Sequence, residues 1–224
     1  MIIAIDGPSG AGKSTIAKAI AKKLGFSCLD TGAMYRAIAW RALHDGIDLN
    51  DEMALGTLAK EKQIEFGHEA GDPVPRRVYI DGVEVTDAIR SMEIDQAVSP
   101  VSAVSAVREA LVAQQQRIGR SGNYVVEGRD IGTVVFPDAE LKVFLTASDV
   151  ERAHRRVRQN VDRGIGSIDY QEVLDDIRRR DEHDSTRAAS PLKRADDAIL
   201  LDSTATYIED VINEVCALAQ QKLS

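Results

Sequence analysis

Apolar residues follow two different periods along this chain, and the alternation between them predicts strands exchanging with helices. Residues 2–5 form a short apolar run of strand length, closed by Asp6. Beyond a glycine-rich stretch, apolar positions recur at Ile16, Ala17, Ile20, Ala21 and Leu24. This is a helical stripe starting at Lys13 and stopping at Gly25. Residues 26–29 read as a second strand. Asp30-Thr31-Gly32 then turns into a helix with Tyr35, Ile38, Ala39 and Ala42 on one face, ending at Asp45-Gly46. Strand, helix, strand, helix implies a parallel sheet with right-handed crossovers.

The pattern then changes character. Val78-Tyr79-Ile80 and Val83-Glu84-Val85 flank Asp81-Gly82, a two-residue connection suited to a type I′ hairpin turn. In that register Ile80 faces Val83, Val78 faces Val85 and Tyr79 lies opposite Glu84, so one side is apolar. With residues 64–66, and joined through a loop at 69–75, this predicts a small antiparallel insertion. Helical spacing resumes near Asp87 and again from Ser102, with Val104, Val107, Leu111 and Ile118 on one face. Residues 124–127, 141–145 and 198–201 read as further core strands. Ser148-Asp149-Val150-Glu151 and Thr206-Tyr207-Ile208-Glu209 have capping-box spacing, and Asp169 stands three residues before Glu172 in a similar arrangement. Asp45, Asp48 and Asp51 read as a solvated loop and cap, and Trp40 as packing.

Composition narrows the class. The 224 residues are 44% apolar and 29% charged, which fits a folded globular protein of one domain with insertions. No apolar run exceeds five residues, so no membrane span and no secretory core segment is expected. A net charge of −8 argues against a nucleic-acid surface. Cys28 and Cys216 are far apart with no paired-cysteine motif, and the four histidines are scattered. Buried thiols in a reducing cytoplasm, and no protein-held zinc, are the expectation.

Chemistry enters at Gly7-Pro8-Ser9-Gly10-Ala11-Gly12-Lys13-Ser14-Thr15. The pattern G-x-x-x-x-G-K-S lies between a predicted strand and a predicted helix, the setting of a P-loop. Its glycines let successive backbone N–H groups turn toward a triphosphate, and the helix N-terminus adds positive potential there. Lys13 reaches the β- and γ-phosphates in such a loop, and the Ser14 hydroxyl helps hold Mg²⁺. The chain has no D-x-x-G and no N-K-x-D, which a regulatory GTPase needs, and no S-G-G of a transport ATPase. It does carry separated arginines and acids near strand ends: Asp30, Arg36, Arg108, Arg129, Asp130, Arg180, Asp184 and Arg187. Such a set suits a second phosphate, the acceptor, and hence a small-molecule kinase. Between residues 151 and 163 five arginines stand against two acids, a local +3. This segment reads as a lid closing over the triphosphate, with a solvated helix face as the plainer alternative.

The sequence resembles the bacterial cytidylate kinase family over residues 2 to about 220. The resemblance rests on the P-loop, on Leu29-Asp30-Thr31-Gly32-Ala33-Met34-Tyr35-Arg36, and on Gly128-Arg129-Asp130-Ile131-Gly132-Thr133-Val134-Val135-Phe136-Pro137-Asp138-Ala139. Glu151-Arg152-Ala153-His154-Arg155-Arg156 and Arg180-Asp181-x-x-Asp184-x-x-Arg187 carry it further. It implies a three-layer α/β P-loop kinase with a parallel central sheet (core 1–30, 121–149 and 167–224), an antiparallel and helical monophosphate-binding insertion at about 31–120, and a short arginine-rich lid at about 150–166. It also implies transfer of the γ-phosphoryl of ATP to CMP or dCMP with Mg²⁺, in a cytoplasmic monomer without nucleic-acid or membrane partners.

Residue by residue, the family's ATP loop falls on 7–15 and its phosphate clamp on Thr31, Arg36 and Arg129. Asp30 and Tyr35 belong to the same acceptor region. Its base readers fall on Ser99, Arg108 and Asp130, and its sugar and phosphate contacts on Arg180, Asp184 and Arg187. Lys13, Arg129, Arg152 and Arg156 are the expected charge-supplying catalytic set. The rival readings are a kinase for UMP, AMP or shikimate, or a non-catalytic nucleotide-binding switch.

Overall fold

In chain order the elements are β1 (Ile2–Asp6), α1 (Lys13–Leu24), β2 (Ser27–Asp30), α2 (Thr31–His44), α3 (Glu52–Glu61), β3 (Ile64–Gly67), β4 (Arg77–Ile80) and β5 (Val83–Glu84). They continue through α4 (Met92–Ala103), α5 (Ser105–Gly119), β6 (Tyr124–Gly128), β7 (Leu141–Thr146), α6 (Asp149–Arg163), α7 (Tyr170–Thr186), β8 (Ile199–Asp202) and α8 (Ile208–Leu223). The computed structural model describes residues 1–223; Ser224, the last residue of the expected 167–224 segment, lies outside them.

The central sheet is wholly parallel, in the order β2-β6-β1-β7-β8. Side chains alternate across it, so Ile3, Ile5, Val125 and Val143 bury one face against α1 and α8. Ala4 and Val126 point the other way, into a second core shared with α2, α4, α5 and the insertion. These are the three layers that the resemblance implies, around the parallel sheet expected from the alternation. Because β1 lies centrally, the loop after it opens at the carboxyl edge of the sheet, where open α/β sheets bind ligands. Cys28 and Cys216 are both free and buried, and no helix among the described residues is long and apolar enough to cross a membrane.

The hairpin forms in the expected register, Ile80 opposite Val83 and Tyr79 opposite Glu84. Asp81 and Gly82 both have positive φ, 48° and 76°, as a type I′ turn requires. Val83 itself is exposed, so the apolar side rests on Val78, Ile80 and Val85.

Four local features depart from the sequence pattern. α3 stands where the spacing predicts a loop and cap; Asp51 does cap it, accepting from the Ala54 N–H at 2.9 Å. Gly56 weakens its helical signal, yet a Cβ there would collide with Ala106 of α5, so the glycine serves close packing. α4 runs through Pro100 to Ala103, and α5 starts at Ser105 rather than Ser102, with extended Val104 between them. Thr206 does not cap α8: its hydroxyl donates to the Asp202 carbonyl at 3.0 Å, and the helix begins at Ile208. Finally, α6 and α7 pack on each other through Ala153, Val173, Leu174 and Ile177. The basic segment is therefore one arm of a helical hairpin with its own small core.

Candidate active site

The stretch between β1 and α1 wraps as the glycine pattern requires. Gly10 and Gly12 have φ of 79° and 96°, a left-handed region costly for other residues. Gly12 caps α1 without any side-chain hydrogen bond. The first-turn N–H groups thus meet no side-chain acceptor, which is how an anion-binding helix end is built. Lys13 lies buried beneath the loop, its Nζ donating to the Pro8 carbonyl at 2.8 Å. Burial and nearby Arg129 push its pKa down, while Glu127 and Asp6 oppose that shift.

Two acids that the sequence reading did not single out complete this end. Glu127, at the end of β6, is buried and accepts a short hydrogen bond from the Ser14 hydroxyl. Burial, reinforced by Asp30, drives its carboxyl pKa upward. Ser14 and Glu127 are hard oxygen donors beside the phosphate loop and fit a hydrated Mg²⁺ carried in on a triphosphate. No cluster of three His, Cys, Asp or Glu capable of caging a metal exists among the described residues. Asp6, at the end of β1, accepts from the backbone N–H groups of Ile131 and Gly132, both at 2.7 Å. Burial raises its pKa to about 6 despite those bonds. Both acids have the same signature in the sequence, a carboxylate closing a core strand just before a glycine.

The other end of the cleft, a single cavity of about 1090 Å³, gathers the expected acceptor residues. Arg108 and Asp130 form a buried ion pair, and Arg108 also donates to the Ser102 carbonyl at 3.1 Å. Its guanidinium carbon sits 5.2 Å from the centre of the Tyr35 ring, a cation–π arrangement. Tyr35 is held neutral, its pKa pushed up to about 12 by burial. Ser99 lines the same wall on α4. The break at Val104 sets that wall and Arg108 on consecutive helices facing one pocket.

Nearer the P-loop, Arg129 donates to Asp184 at 2.9 Å, and Arg187 lies 3.7 Å from Asp184 and 4.0 Å from Asp130. Burial works against ionised Asp184, but Arg129, Arg187 and Arg180 together outweigh it and hold the carboxyl below its usual range. Arg180 is half-buried, and desolvation, together with Arg129 and Arg36, lowers its pKa to about 10. Guanidinium groups this crowded favour a negative charge among them. Asp30 caps α2, accepting from Ala33 N–H at 3.0 Å. The Thr31 hydroxyl donates to the Glu127 carbonyl at 2.8 Å, which uses its proton inside the protein.

The lid arginines divide. Arg156 lines the cavity, and burial, with Arg36, Arg163 and Arg129 nearby, depresses its pKa against the pull of Asp95. Arg152 is turned away from the cavity. Its guanidinium bonds the Ala147 and Ser9 carbonyls at 3.0 Å each and pairs with Asp181 at 2.6 Å, stapling α6 to the P-loop and to α7. Each nitrogen of its guanidinium thus has a partner within the protein. Arg155 leans toward the β8–α8 turn, donating to the Ser203 hydroxyl at 3.0 Å.

A phosphate-cradling loop at one end of a cleft and an arginine-built anion site at the other, on a 2-3-1-4-5-type parallel sheet, define the P-loop kinase class. Residues 3–221 match the cytidylate kinase family model, and the chain belongs to that family. It is 49% identical over 221 residues to a cytidylate kinase from Desulfitobacterium hafniense, covering 99% of this chain and 93% of that protein. It is 49% identical over 223 residues to a bifunctional pantoate ligase/cytidylate kinase from Trichormus variabilis, covering 100% of this chain but 42% of that protein. The chain thus spans less than half the length of such bifunctional relatives. Among solved structures, a shikimate kinase from Bacteroides thetaiotaomicron aligns over 98% of both chains with a TM-score of 0.50 at 14% identity, a likeness of fold alone.

Proposed function

We propose that this chain transfers the γ-phosphoryl group of ATP to CMP or dCMP, giving CDP or dCDP and ADP. The observation that carries the reading is the buried Arg108–Asp130 pair. Cytosine presents an N4 donor beside an N3 acceptor; uracil presents the reverse, an O4 acceptor beside an N3 donor. A carboxylate beside a guanidinium complements the first edge and opposes the second. Because the two groups bond each other, each is already oriented before a base arrives. Ser99 adds a hydroxyl on the same wall, and Tyr35 backs Arg108.

In this reading the backbone N–H groups of residues 7–15 cradle the triphosphate and Lys13 leaves Pro8 for the β- and γ-phosphates. Ser14 and Glu127 would hold Mg²⁺, which would supply positive charge against the phosphates. Arg36, Arg129 and Arg180 take the acceptor phosphate, Arg156 comes in from α6, and Asp184 accepts from the sugar while Arg187 steadies Asp184 and Asp130. No group has to abstract a proton from a phosphate acceptor that is already ionised; positioning and charge carry the transfer. Two free buried thiols accord with a reducing cytoplasm.

The test is a turnover screen with ATP across CMP, dCMP, UMP, AMP and shikimate. Highest kcat/KM on CMP or dCMP is expected; a preference for AMP or shikimate, or no turnover of any acceptor, would reject the reading.

A further inference from the structure

Arg36 is an arginine of the acceptor end already paired within the chain. Its Nη2 lies 2.5 Å from Asp95 Oδ1, and its Nη1 donates to the Ile89 carbonyl at 3.3 Å. Asp95 belongs to the first turn of α4, half-buried in the cleft wall. Its charge also acts on half-buried Arg156 of α6 and Arg180 of α7, which line the same cleft. Arginines from three helices therefore share one cleft with a carboxylate that belongs to the protein.

A phosphate dianion entering this site seeks the same guanidinium hydrogens and brings its charge against that carboxylate. Arg36 cannot serve both with its full fork. We infer that Asp95 is an internal counter-anion, occupying Arg36 in the free protein and displaced from it by the incoming monophosphate, so that it holds acceptor affinity below what the arginines alone would give. The inference rests on the reading of Arg36 as an acceptor-phosphate ligand. In the free protein the carboxylate offsets repulsion among Arg36, Arg156 and Arg180; on binding, the phosphate takes over that task. Ser99 lies one helical turn beyond Asp95, at i+4 on α4. Release of Asp95 therefore frees the same helix that carries a residue of the base wall, linking arrival of the phosphate to engagement of the base.

Calorimetric titration of CMP, and of cytidine lacking the phosphate, into wild type, Asp95→Asn and Asp95→Glu tests this. Asparagine keeps the size and removes the charge. Asp95→Asn should bind CMP about three- to tenfold more tightly, with cytidine unchanged and Asp95→Glu near wild type for both. Unchanged or weaker CMP binding in Asp95→Asn would overturn the inference, because Asp95 would then be orienting Arg36 for the phosphate. Equal tightening of CMP and cytidine would overturn it too, since the effect would arise from a loosened α4 and not from charge at the phosphate. If wild type binds CMP no better than cytidine, the acceptor-phosphate reading itself fails and the inference falls with it, an outcome distinct from a failure confined to the variant.

Discussion

The Asp6 carboxylate accepts a hydrogen bond from the backbone N–H of Gly132 at 2.7 Å, across 126 residues of sequence. With its second bond, to Ile131, it fixes the π-helical turn Ile131–Val135 immediately after Arg129 and Asp130. The strand that launches the P-loop thereby also sets the loop that carries the acceptor-binding residues, so the two ends of the cleft share one anchor.

That anchor has a pH signature. Burial lifts the folded-state pKa of Asp6 from 3.8 to about 6, so the folded protein holds this proton more tightly than the unfolded chain. The stabilisation by protonation is complete below about pH 4 and is lost as pH rises through about 6. Relative to Asp6→Asn, wild type should lose on the order of 2–3 kcal/mol of unfolding free energy across that window. Urea unfolding of both proteins at pH 4 and pH 7 measures it; identical pH slopes would remove Asp6 as the cause.

Glu127 should act through the metal. Glu127→Gln keeps an acceptor for Ser14 but removes the charge behind it. The Mg²⁺ concentration for half-maximal rate should rise about 10- to 100-fold, with CMP affinity little changed. Equal Mg²⁺ dependence in both proteins would leave Glu127 a packing residue.

The two lid arginines should separate stability from rate. Arg152→Met leaves Asp181 and the Ser9 and Ala147 carbonyls without their donor, and should cost about 2–4 kcal/mol of stability. Arg156→Met should leave the melting temperature near wild type and lower kcat at least tenfold, because its guanidinium faces the cleft. Thermal unfolding and steady-state kinetics on the pair decide this; loss of kcat without loss of stability in Arg152→Met would assign Arg152 to the reaction instead.

Where chemistry follows local spacing, the sequence made it legible. The strand, glycine loop and stripe Ile16, Ala17, Ile20, Ala21 lie within one short segment, and Asp81-Gly82 alone specifies its turn. Partnerships made by the sheet were not legible. Glu127 meets Ser14 only because β6 inserts between β1 and β2, an order that no window of residues contains. Periodicity places Arg152 and Arg156 near one face of α6 but cannot say that α7 packs there and supplies Asp181. Gly56 hid α3 for a similar reason, since the helix that makes its glycine useful lies about fifty residues on. Thr206 has the spacing of a cap, but the Asp202 carbonyl claims its hydroxyl first.

Selection of cytosine is tested most directly by the ratio of kcat/KM for CMP to that for UMP in wild type and Asp130→Asn. Asp130 is buried beside Arg108 and offers only acceptors to the base while ionised. Asparagine can turn a donor toward uracil O4 and weakens the contact with cytosine N4. The ratio should therefore fall by roughly 1–3 kcal/mol, about 5- to 150-fold, chiefly through loss on CMP. Equal losses on CMP and UMP would contradict the account and make Asp130 a support for Arg108, with no part in reading the base.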